Sequence, residues 1–255
     1  MIMTKNTLTP ICVLFATSLF LFGCKEQTID NDESNVKLLK TIVIEEDRDI
    51  TAITFEYDSQ GRITKQMEPP LTATFTYNSA GELIKLIWER EHIGIVETLT
   101  FAKNGNSILM TSESSGNVYS GTIELDAQGL PVKILGDGNS ALEYQNGNVS
   151  KITFYSNTSI EYGYYTISYD NKKSPWLHCK TPQWYFMTAF ESLGFPFIGL
   201  KNNPTAIEGD FAEGWSSDHF VYTYDNDGYP INVAVTETER YGTYHYTISY
   251  TYTPK

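Results

Sequence analysis

The chain has 255 residues, enough to bury the core of one domain or of two small ones. Its 31 acidic residues outnumber its 18 basic ones, which gives a formal net charge of −13. A surface of this sign repels phosphate backbones, so the composition argues against a nucleic-acid partner.

Residues 1–23 have the pattern of an export signal. One cation, Lys5, precedes an apolar run from Ile11 to Phe22 that is shorter than the roughly 20 residues needed to span a bilayer. The run ends at Leu21-Phe22-Gly23-Cys24, which resembles the bacterial lipobox. We therefore predict cleavage before Cys24 and lipidation of its thiol. The alternative is an ordinary signal peptide that a cysteine follows by chance.

Residues 24–37 are predicted to form a flexible tether, because the stretch after Cys24 is polar, acidic and poor in apolar groups. Similar acidic stretches mark surface export in some Bacteroidetes lipoproteins. The predicted location is the outer membrane, on the cell-surface or periplasmic face, with the lipid anchor as the membrane contact. Cys12 lies in the signal and Cys24 is the lipidation site, so Cys179 is left without a disulfide partner.

One phrase recurs after the tether: an alternating apolar run, then Asp or Asn, two variable residues, glycine, and another alternating run. The Asx side chain can accept a backbone hydrogen bond, and the glycine supplies the positive φ that reverses the chain. Each copy therefore predicts an antiparallel hairpin. The copies are Asp58–Gly61, Asn78–Gly81, Asp126–Gly129 and Asp225–Gly228, and Asn146-Gly147 offers a tighter turn.

About sixteen candidate strands follow one another in this way, at a spacing of roughly ten residues. A sheet of that length curls or closes on itself. The sequence therefore predicts a single all-β domain over residues 38–255. Its expected form is an antiparallel hairpin meander, rolled into an open barrel-like or strongly curved sheet.

Some of these segments resemble known families. The stretch from Tyr57 to Thr64 resembles the tyrosine–aspartate (YD) repeat of Rhs and wall-associated proteins, and Tyr77–Gly81 is a second copy. Tyr169–Trp176, Asn202–Pro204 and Tyr224–Pro230 are similar to a family of uncharacterised Bacteroidetes lipoproteins whose domain is described as porin-like. This resemblance covers most of residues 38–255. It implies a porin-like shape, which we interpret as a rolled meander in water, and it supplies no catalytic residues.

The hairpin pattern stops over residues 174–218, which predicts an irregular insertion. Thr181 and Pro182 are typical of the N-cap and first position of a helix, and Gly194 of its end. A short helix is therefore predicted near 182–192. It is apolar on nearly all sides, which predicts that it is buried as a plug in the rolled sheet.

The insertion contains three of the four tryptophans. Trp176, Trp184 and Trp215, with Tyr185 and Asp218, are the predicted ligand-binding residues: an aromatic platform with a polar partner. The ligand would be a glycan or another small molecule. The alternative, which the usual behaviour of clustered aromatics favours, is that these rings fill the core.

Signals for catalysis and for metal binding are weak. His178 and Cys179 are adjacent, and adjacent side chains of an extended chain point to opposite faces. The histidines lack metal-ligand spacing, and Asp225–Gly228 lacks the later glutamate of a calcium loop. The sequence therefore predicts no catalytic residue, metal or cofactor.

The leading hypothesis is a lipid-anchored, non-enzymatic binding or interaction module of the cell envelope, with a glycan or small hydrophobic ligand. One alternative is a carboxylate-dependent, glycosidase-like hydrolase, which needs two carboxylates roughly 5–10 Å apart across a cleft. The other is a purely structural envelope scaffold, for which a large exposed apolar patch without a pocket is expected.

Overall fold

The computed structural model describes residues 36–47, 49–136, 138–156, 158–193, 197–198, 200–212 and 214–254. The signal segment, Cys24 and most of the tether lie outside these residues, so lipidation stays a prediction. No helix in the described ranges is both long and apolar enough to cross a bilayer.

The described residues form sixteen strands and one helix. The strands are β1 (Lys37–Glu46), β2 (Asp49–Tyr57), β3 (Ile63–Glu68), β4 (Leu71–Tyr77), β5 (Leu83–Arg90), β6 (Gly94–Asn104), β7 (Ser107–Ser114), β8 (Asn117–Leu125), β9 (Pro131–Leu135), β10 (Asn139–Gln145), β11 (Asn148–Tyr155), β12 (Glu161–Tyr169), β13 (Pro204–Phe211), β14 (Gly214–Tyr224), β15 (Pro230–Glu239) and β16 (Gly242–Pro254). The helix, α1 (Gln183–Leu193), lies between β12 and β13, so the predicted short helix is confirmed.

Each strand pairs antiparallel with the next, and β1 closes the ring by pairing with β16. The predicted meander is therefore confirmed, and its roll closes completely. The seam is apolar on its inner side, where Ile42 faces Tyr250 and Ile44 faces Ile248. Ile42, Ile248 and Tyr250 are buried, which explains why the two terminal strands join.

The four predicted Asx-to-glycine turns are confirmed. In each, the Asx Oδ1 accepts hydrogen bonds from the amides two and four residues on, at 2.8–3.0 Å. The glycine of each turn has a φ of +82° or +83°, in the left-handed region that favours glycine. These glycines are Gly61, Gly81, Gly129 and Gly228.

Tyrosines near the same ends of the strands tie each strand to the one before it. Each hydroxyl donates to a backbone carbonyl near the start of the preceding strand, at 2.7–2.8 Å. The pairs are Tyr57 to Leu39, Tyr77 to Ile63, Tyr144 to Pro131 and Tyr252 to Pro230. The tyrosine of the YD-like phrase therefore has a structural role: its ring packs against the core and its hydroxyl satisfies a backbone acceptor.

Successive connections alternate between the two ends of the barrel. One end, which we call the plug end, contains the Asx-to-glycine turns, Lys37 and Pro254. The long connection between β12 and β13 starts and ends there too, and we call its described residues, 170–193, 197–198 and 200–203, the plug segment. We call the other end the rim. It comprises residues 45–47, 49–50, 68–71, 89–95, 113–119, 135–136, 138–139, 155–156, 158–162, 210–212, 214–215 and 239–244.

The plug segment packs against the inward-facing side chains. Trp176 contacts Phe55 with ring centroids 5.1 Å apart, and Trp184 contacts Phe101 at 4.8 Å. Tyr185 packs edge-on against Phe75, at 5.1 Å. These contacts bury the helix and the inward face of the sheet together, and this burial contributes hydrophobic stabilisation.

The two ends of the plug segment are fastened to each other. Asp170 Oδ1 accepts from the amides of Lys172 and Asn203, at 2.9 and 3.1 Å. The Tyr224 hydroxyl donates to the same carboxylate, and Asn203 Nδ2 donates to the Lys173 carbonyl at 3.1 Å. Three segments that suggested the Bacteroidetes resemblance thus meet in one hydrogen-bond network that holds the plug.

One boundary of the insertion differs from the sequence interpretation. The irregular part ends at Asn203, because Pro204–Phe211 and Gly214–Tyr224 form β13 and β14, whose alternating pattern is obscured in the sequence by glycines and charged residues. The Thr181 hydroxyl accepts from the Ile63 amide at 2.8 Å and lies 3.1 Å from the Tyr77 hydroxyl, so it joins the helix start to the strands. Gly194 lies outside the described residues.

The outward face of the barrel is mostly polar. Outward positions of β4, β6, β12 and β16 carry runs of threonine and serine, such as Thr74 and Thr76 on β4, which are exposed. The inward positions between them are apolar, as Ala73 and Phe75 are. The two faces of the sheet therefore differ in polarity, and the apolar face is turned toward the interior.

Replacing a turn glycine tests the left-handed geometry. Gly129→Ala leaves the added methyl in open space but forces a φ near +83°, so we expect a loss of about 1 kcal/mol of unfolding free energy. Gly138→Ala is the control, since Gly138 also has open space and its φ lies outside the left-handed region. Urea unfolding midpoints would measure both, and equal shifts would contradict the assignment.

Candidate functional site

The rim concentrates the exposed apolar side chains of the barrel. Ten of the fourteen exposed large apolar residues among the described ones belong to it: Ile50, Ile93, Ile95, Val118, Tyr119, Ile160, Tyr162, Trp215, Tyr241 and Tyr244. They come from six different hairpins. Exposed apolar groups collected at one end of a protein mark an interaction surface.

The rim is also strongly acidic. Among its described residues, ten exposed carboxylates stand against two exposed guanidiniums, those of Arg90 and Arg240. The acids are Glu45, Glu46, Asp47, Asp49, Glu89, Glu91, Glu113, Glu161, Asp210 and Glu239. Lysines are found instead toward the plug end, where the plug segment alone carries Lys172, Lys173, Lys180 and Lys201. The barrel is therefore electrically polar along its axis.

A cavity of about 630 Å³ opens at the rim where β12 to β16 end, and we call it the rim cavity. Tyr165, Phe211, Ser216 and Glu239 contribute inward-facing side chains to it. Its edge is made by Tyr162, Trp215, Arg240 and Tyr241. The cavity thus combines aromatic rings with a carboxylate and a guanidinium.

Two glycines make room for the aromatic rings of the rim cavity. A Cβ on Gly163 would lie 2.0 Å from Cδ1 of Phe211, and one on Gly209 would lie 2.8 Å from rings of both Phe211 and Tyr165. The Phe211 ring therefore lies flat across strand positions that have no side chain. Phe154 completes the cluster, with centroids 5.6 Å from Tyr165 and 5.9 Å from Phe211.

Three carboxylates face the lumen beside this cluster. Asp218 on β14 pairs directly with Glu237 on β15, and Glu239 follows on the same face of β15. Burial, with the nearby charges of Glu237, Glu239 and Glu208, raises the pKa of Asp218 to about 7. Burial and Glu239 raise the pKa of Glu237 as well. Among the described residues, nothing donates a hydrogen bond to the buried Oδ1 of Asp218.

A second cavity, of about 480 Å³, lies in the lumen between α1 and strands β3 to β7; we call it the inner chamber. Its walls are mainly apolar, with Leu86, Trp88, Leu99, Phe101 and Met110, and Tyr185, Thr188 and Ala189 of α1 line it too. Polar groups line it as well: Glu68, Arg90, Glu97 and Ser112. The plug therefore leaves space on two sides of the lumen.

The predicted ligand-binding residues divide between different places. Trp176, Trp184 and Tyr185 belong to the buried plug, with 2 %, 6 % and 4 % of their surface exposed. Trp215 is 52 % exposed at the rim and lines the rim cavity. Asp218 lies deeper in the lumen, next to Tyr165. Trp215 and Asp218 share β14, but Trp215 pairs with the exposed Asp210 and Asp218 with the buried Ile207, so they lie on opposite faces of the sheet. The other three lie in the core.

The residues considered for chemistry in the sequence have structural partners. The pKa of the Cys179 thiol is raised by burial, which disfavours the nucleophilic thiolate, and His178 lies against the Tyr229 ring. Lys37 bridges Asp225 and Asp227 at 2.7 and 2.6 Å. Within the described ranges, no three His, Cys, Asp or Glu side chains are grouped so as to hold a metal ion.

Sequence reasoning missed Tyr165, Phe211, Glu237 and Tyr241 as site residues, as well as both cavities. One signal was available: in a meander every second connection lies at the same end, so the apolar residues of alternate turns share one edge. The pairing of Asp218 with Glu237 needs the register of β14 and β15, which no single segment reveals.

Comparisons with known proteins give limited likeness. No family model and no curated protein matches the chain. A solved porin-like protein from Bacteroides uniformis is 17 % identical with a TM-score of 0.42, over 85 % of this chain and 96 % of that one. The TcdB2-TccC3-Cdc42 structure is 15 % identical with a TM-score of 0.20, over 78 % of this chain and 10 % of that one.

Gly209→Ala tests the packing of the rim cavity. The added methyl would lie 2.5 Å from Oγ of Ser216 and 2.8 Å from two rings, so we expect a loss of about 1–3 kcal/mol of unfolding free energy. Gly136→Ala meets only ordinary contacts, the nearest at 3.6 Å, and serves as control. Urea unfolding of both variants measures the difference, and equal stability would refute the close packing.

Asp218→Asn tests the raised pKa through the pH dependence of stability. Between pH about 4 and 7 the folded protein holds a proton that the unfolded chain releases, so wild-type stability falls as pH rises through this window. We expect the variant to be more stable than wild type by about 1–2 kcal/mol at pH 7.5 and equal to it near pH 4. This is less than the shift alone implies, because Asp218 is partly exposed.

The control for this comparison is Asp210→Asn, since Asp210 is exposed on the neighbouring strand. Its unfolding midpoint is compared with that of the wild type at the same two pH values. A difference for Asp218→Asn that does not change with pH would rule out a buried, protonated carboxyl.

Proposed function

We propose that the protein is a lipid-anchored binding module of the cell envelope, and that its rim binds a neutral or amino-bearing glycan. The main support for the proposal is that exposed apolar groups, carboxylates and a cavity all lie at one end of the barrel, the rim. The predicted signal and lipobox support the location, and the porin-like resemblance of the sequence agrees with it.

The chemistry of the rim cavity suits a sugar. Aromatic rings such as those of Trp215 and Tyr241 can stack on the apolar face of a pyranose, and both rings are exposed. Glu239 can accept hydrogen bonds from hydroxyl groups, and Arg240 can donate to ring or glycosidic oxygens. Anionic polymers are disfavoured, because the rim is acidic.

The charge distribution supports one orientation. Lys37 lies at the plug end, so the tether enters the barrel there. The lysines of the plug segment then face anionic lipid headgroups, which attract them, and the acidic rim is directed away from the bilayer. A ligand outside the membrane would meet the rim first.

The hydrolase alternative is favoured by one observation, the pairing of Asp218 with Glu237. Residues directly opposite on neighbouring strands have Cβ atoms about 4.5–5.5 Å apart, which is close to the carboxyl separation of retaining glycosidases. The pKa of about 7 would let Asp218 act as the acid while another carboxylate is ionised. The scaffold alternative is less favoured, because the apolar rim has a cavity beside it.

Trp215→Ala tests the rim as the glycan-binding surface. Glycan-array screening of the mature chain, with Cys24→Ser to prevent lipidation, identifies oligosaccharide ligands, and calorimetric titration then measures affinity. We expect the variant to bind at least about tenfold more weakly, because it loses a stacking ring. The control is Val221→Ala, which truncates an exposed residue of the same strand away from the rim.

The outcomes separate the alternatives. Binding lost in Trp215→Ala and kept in Val221→Ala supports the rim. The proposal that the rim binds a glycan is refuted if the array gives no neutral or amino-bearing ligand, or if both variants lose the same amount of affinity. Cleavage of a bound oligosaccharide by wild type and not by Asp218→Asn would replace the binding module with the hydrolase.

A further inference from the structure

We propose that the inner chamber is a second binding site, for an amphiphile that has an apolar chain or ring and an uncharged polar head. The chamber shares no described lining residue with the rim cavity. The inference therefore goes beyond the proposed function, and it can be tested independently of glycan binding at the rim.

The polarity of the chamber wall changes with depth. Nearest the plug end, Phe101 pairs with Met110; one step toward the rim, Leu99 pairs with Ser112. The next inward position of β6 is Glu97, which pairs with Trp88 of β5. The wall is thus apolar at the bottom and polar near the rim, as an amphiphile inserted tail first requires.

The floor of the chamber is fixed in place. Tyr185 donates a hydrogen bond to Oε1 of Gln66 at 2.9 Å and packs against Phe75. Ala189, one turn further along the helix, presents only a methyl group, so the helix does not fill the space above it. A site whose walls and floor are already ordered loses little entropy when a ligand binds.

The size of the chamber suits a small molecule. Its volume of about 480 Å³ is within the range of roughly 300–1,000 Å³ that is usual for small-molecule sites. Water in its lower half would find few hydrogen-bond partners, because the wall there is hydrocarbon, thioether and aromatic. An alkyl chain or fused ring displaces such water favourably.

The charged and polar side chains of the chamber near the rim determine which polar head group of a ligand can bind. Glu68 and Glu97 contribute two carboxylates to the lining and Arg90 one guanidinium. Ser112 Oγ donates to Oε1 of Glu97 at 2.6 Å, which holds that carboxylate on the wall. A carboxylate or phosphate head would meet an excess of negative charge, whereas a hydroxyl head can donate to Glu97 or accept from Arg90.

A fluorescence titration with N-phenyl-1-naphthylamine tests the site. This neutral fluorophore brightens in apolar surroundings, and we expect saturable binding to the mature Cys24→Ser chain. Decanol should then displace it at a concentration at least about tenfold below that of decanoate, which has a chain of the same length and an anionic head. Absence of saturable binding, or equal displacement by both compounds, would overturn the proposal.

A pair of neighbouring substitutions locates the bound probe. Met110→Trp fills the chamber, while Leu109→Trp adds the same ring to the exposed outer face of β7. We expect Met110→Trp to weaken probe binding at least about tenfold and Leu109→Trp to leave it unchanged. Equal effects of the two substitutions would place the probe elsewhere and overturn the proposal.

A second filling variant covers the case in which Met110→Trp does not fold. Ala189→Met reduces the space from the helix side, and thermal unfolding checks that the barrel is intact. We expect it to weaken probe binding too, and unchanged binding in folded Ala189→Met would count against the chamber. Trp215→Ala distinguishes the two proposals: it should weaken glycan binding at least about tenfold while leaving probe binding unchanged.

Discussion

The pairing of β1 with β16 is the constraint on which the rest of the structure depends. An open meander of sixteen strands would leave two edges with unpaired backbone groups and a one-sided apolar face. Closure gives every strand two neighbours and encloses the apolar face as a lumen. The plug segment then has a bounded space to fill, and it fills the plug end while leaving the rim cavity and the inner chamber. Both candidate sites are therefore consequences of closure combined with a plug that is shorter than the barrel.

The elements that could be predicted are those whose physics is local. Asp58 and Gly61 specify a reversal within four residues, and the other copies of the phrase do the same, so turns and strand number follow from the sequence. The helix follows from a compact apolar segment with a proline at its start. Closure could not be predicted, because the residues that pair between β1 and β16 are more than 200 positions apart in the sequence. The apolar match between the two strands is visible only once the inward face of each is known.

The candidate site was less predictable than the fold for the same reason. Trp176, Trp184 and Trp215 are near one another in the sequence, which suggested a shared platform, but the plug segment enters the lumen while β14 runs to the rim. The aromatic cluster depends on Gly163 and Gly209, whose role is to leave room for a ring from another strand. The raised pKa of Asp218 depends on Glu237 lying opposite it, and so on strand register.

The position of Lys37 has a mechanical consequence. This residue begins β1 and is held by Asp225 and Asp227, while β1 pairs with β16 from Lys37 to Glu45 and with β2 from Thr41 to Glu46. Tension on the chain that precedes Lys37 acts along the strand, so it loads two hydrogen-bonded ladders in shear at once rather than peeling bonds one at a time. A barrel pulled from this end resists extension through many bonds together.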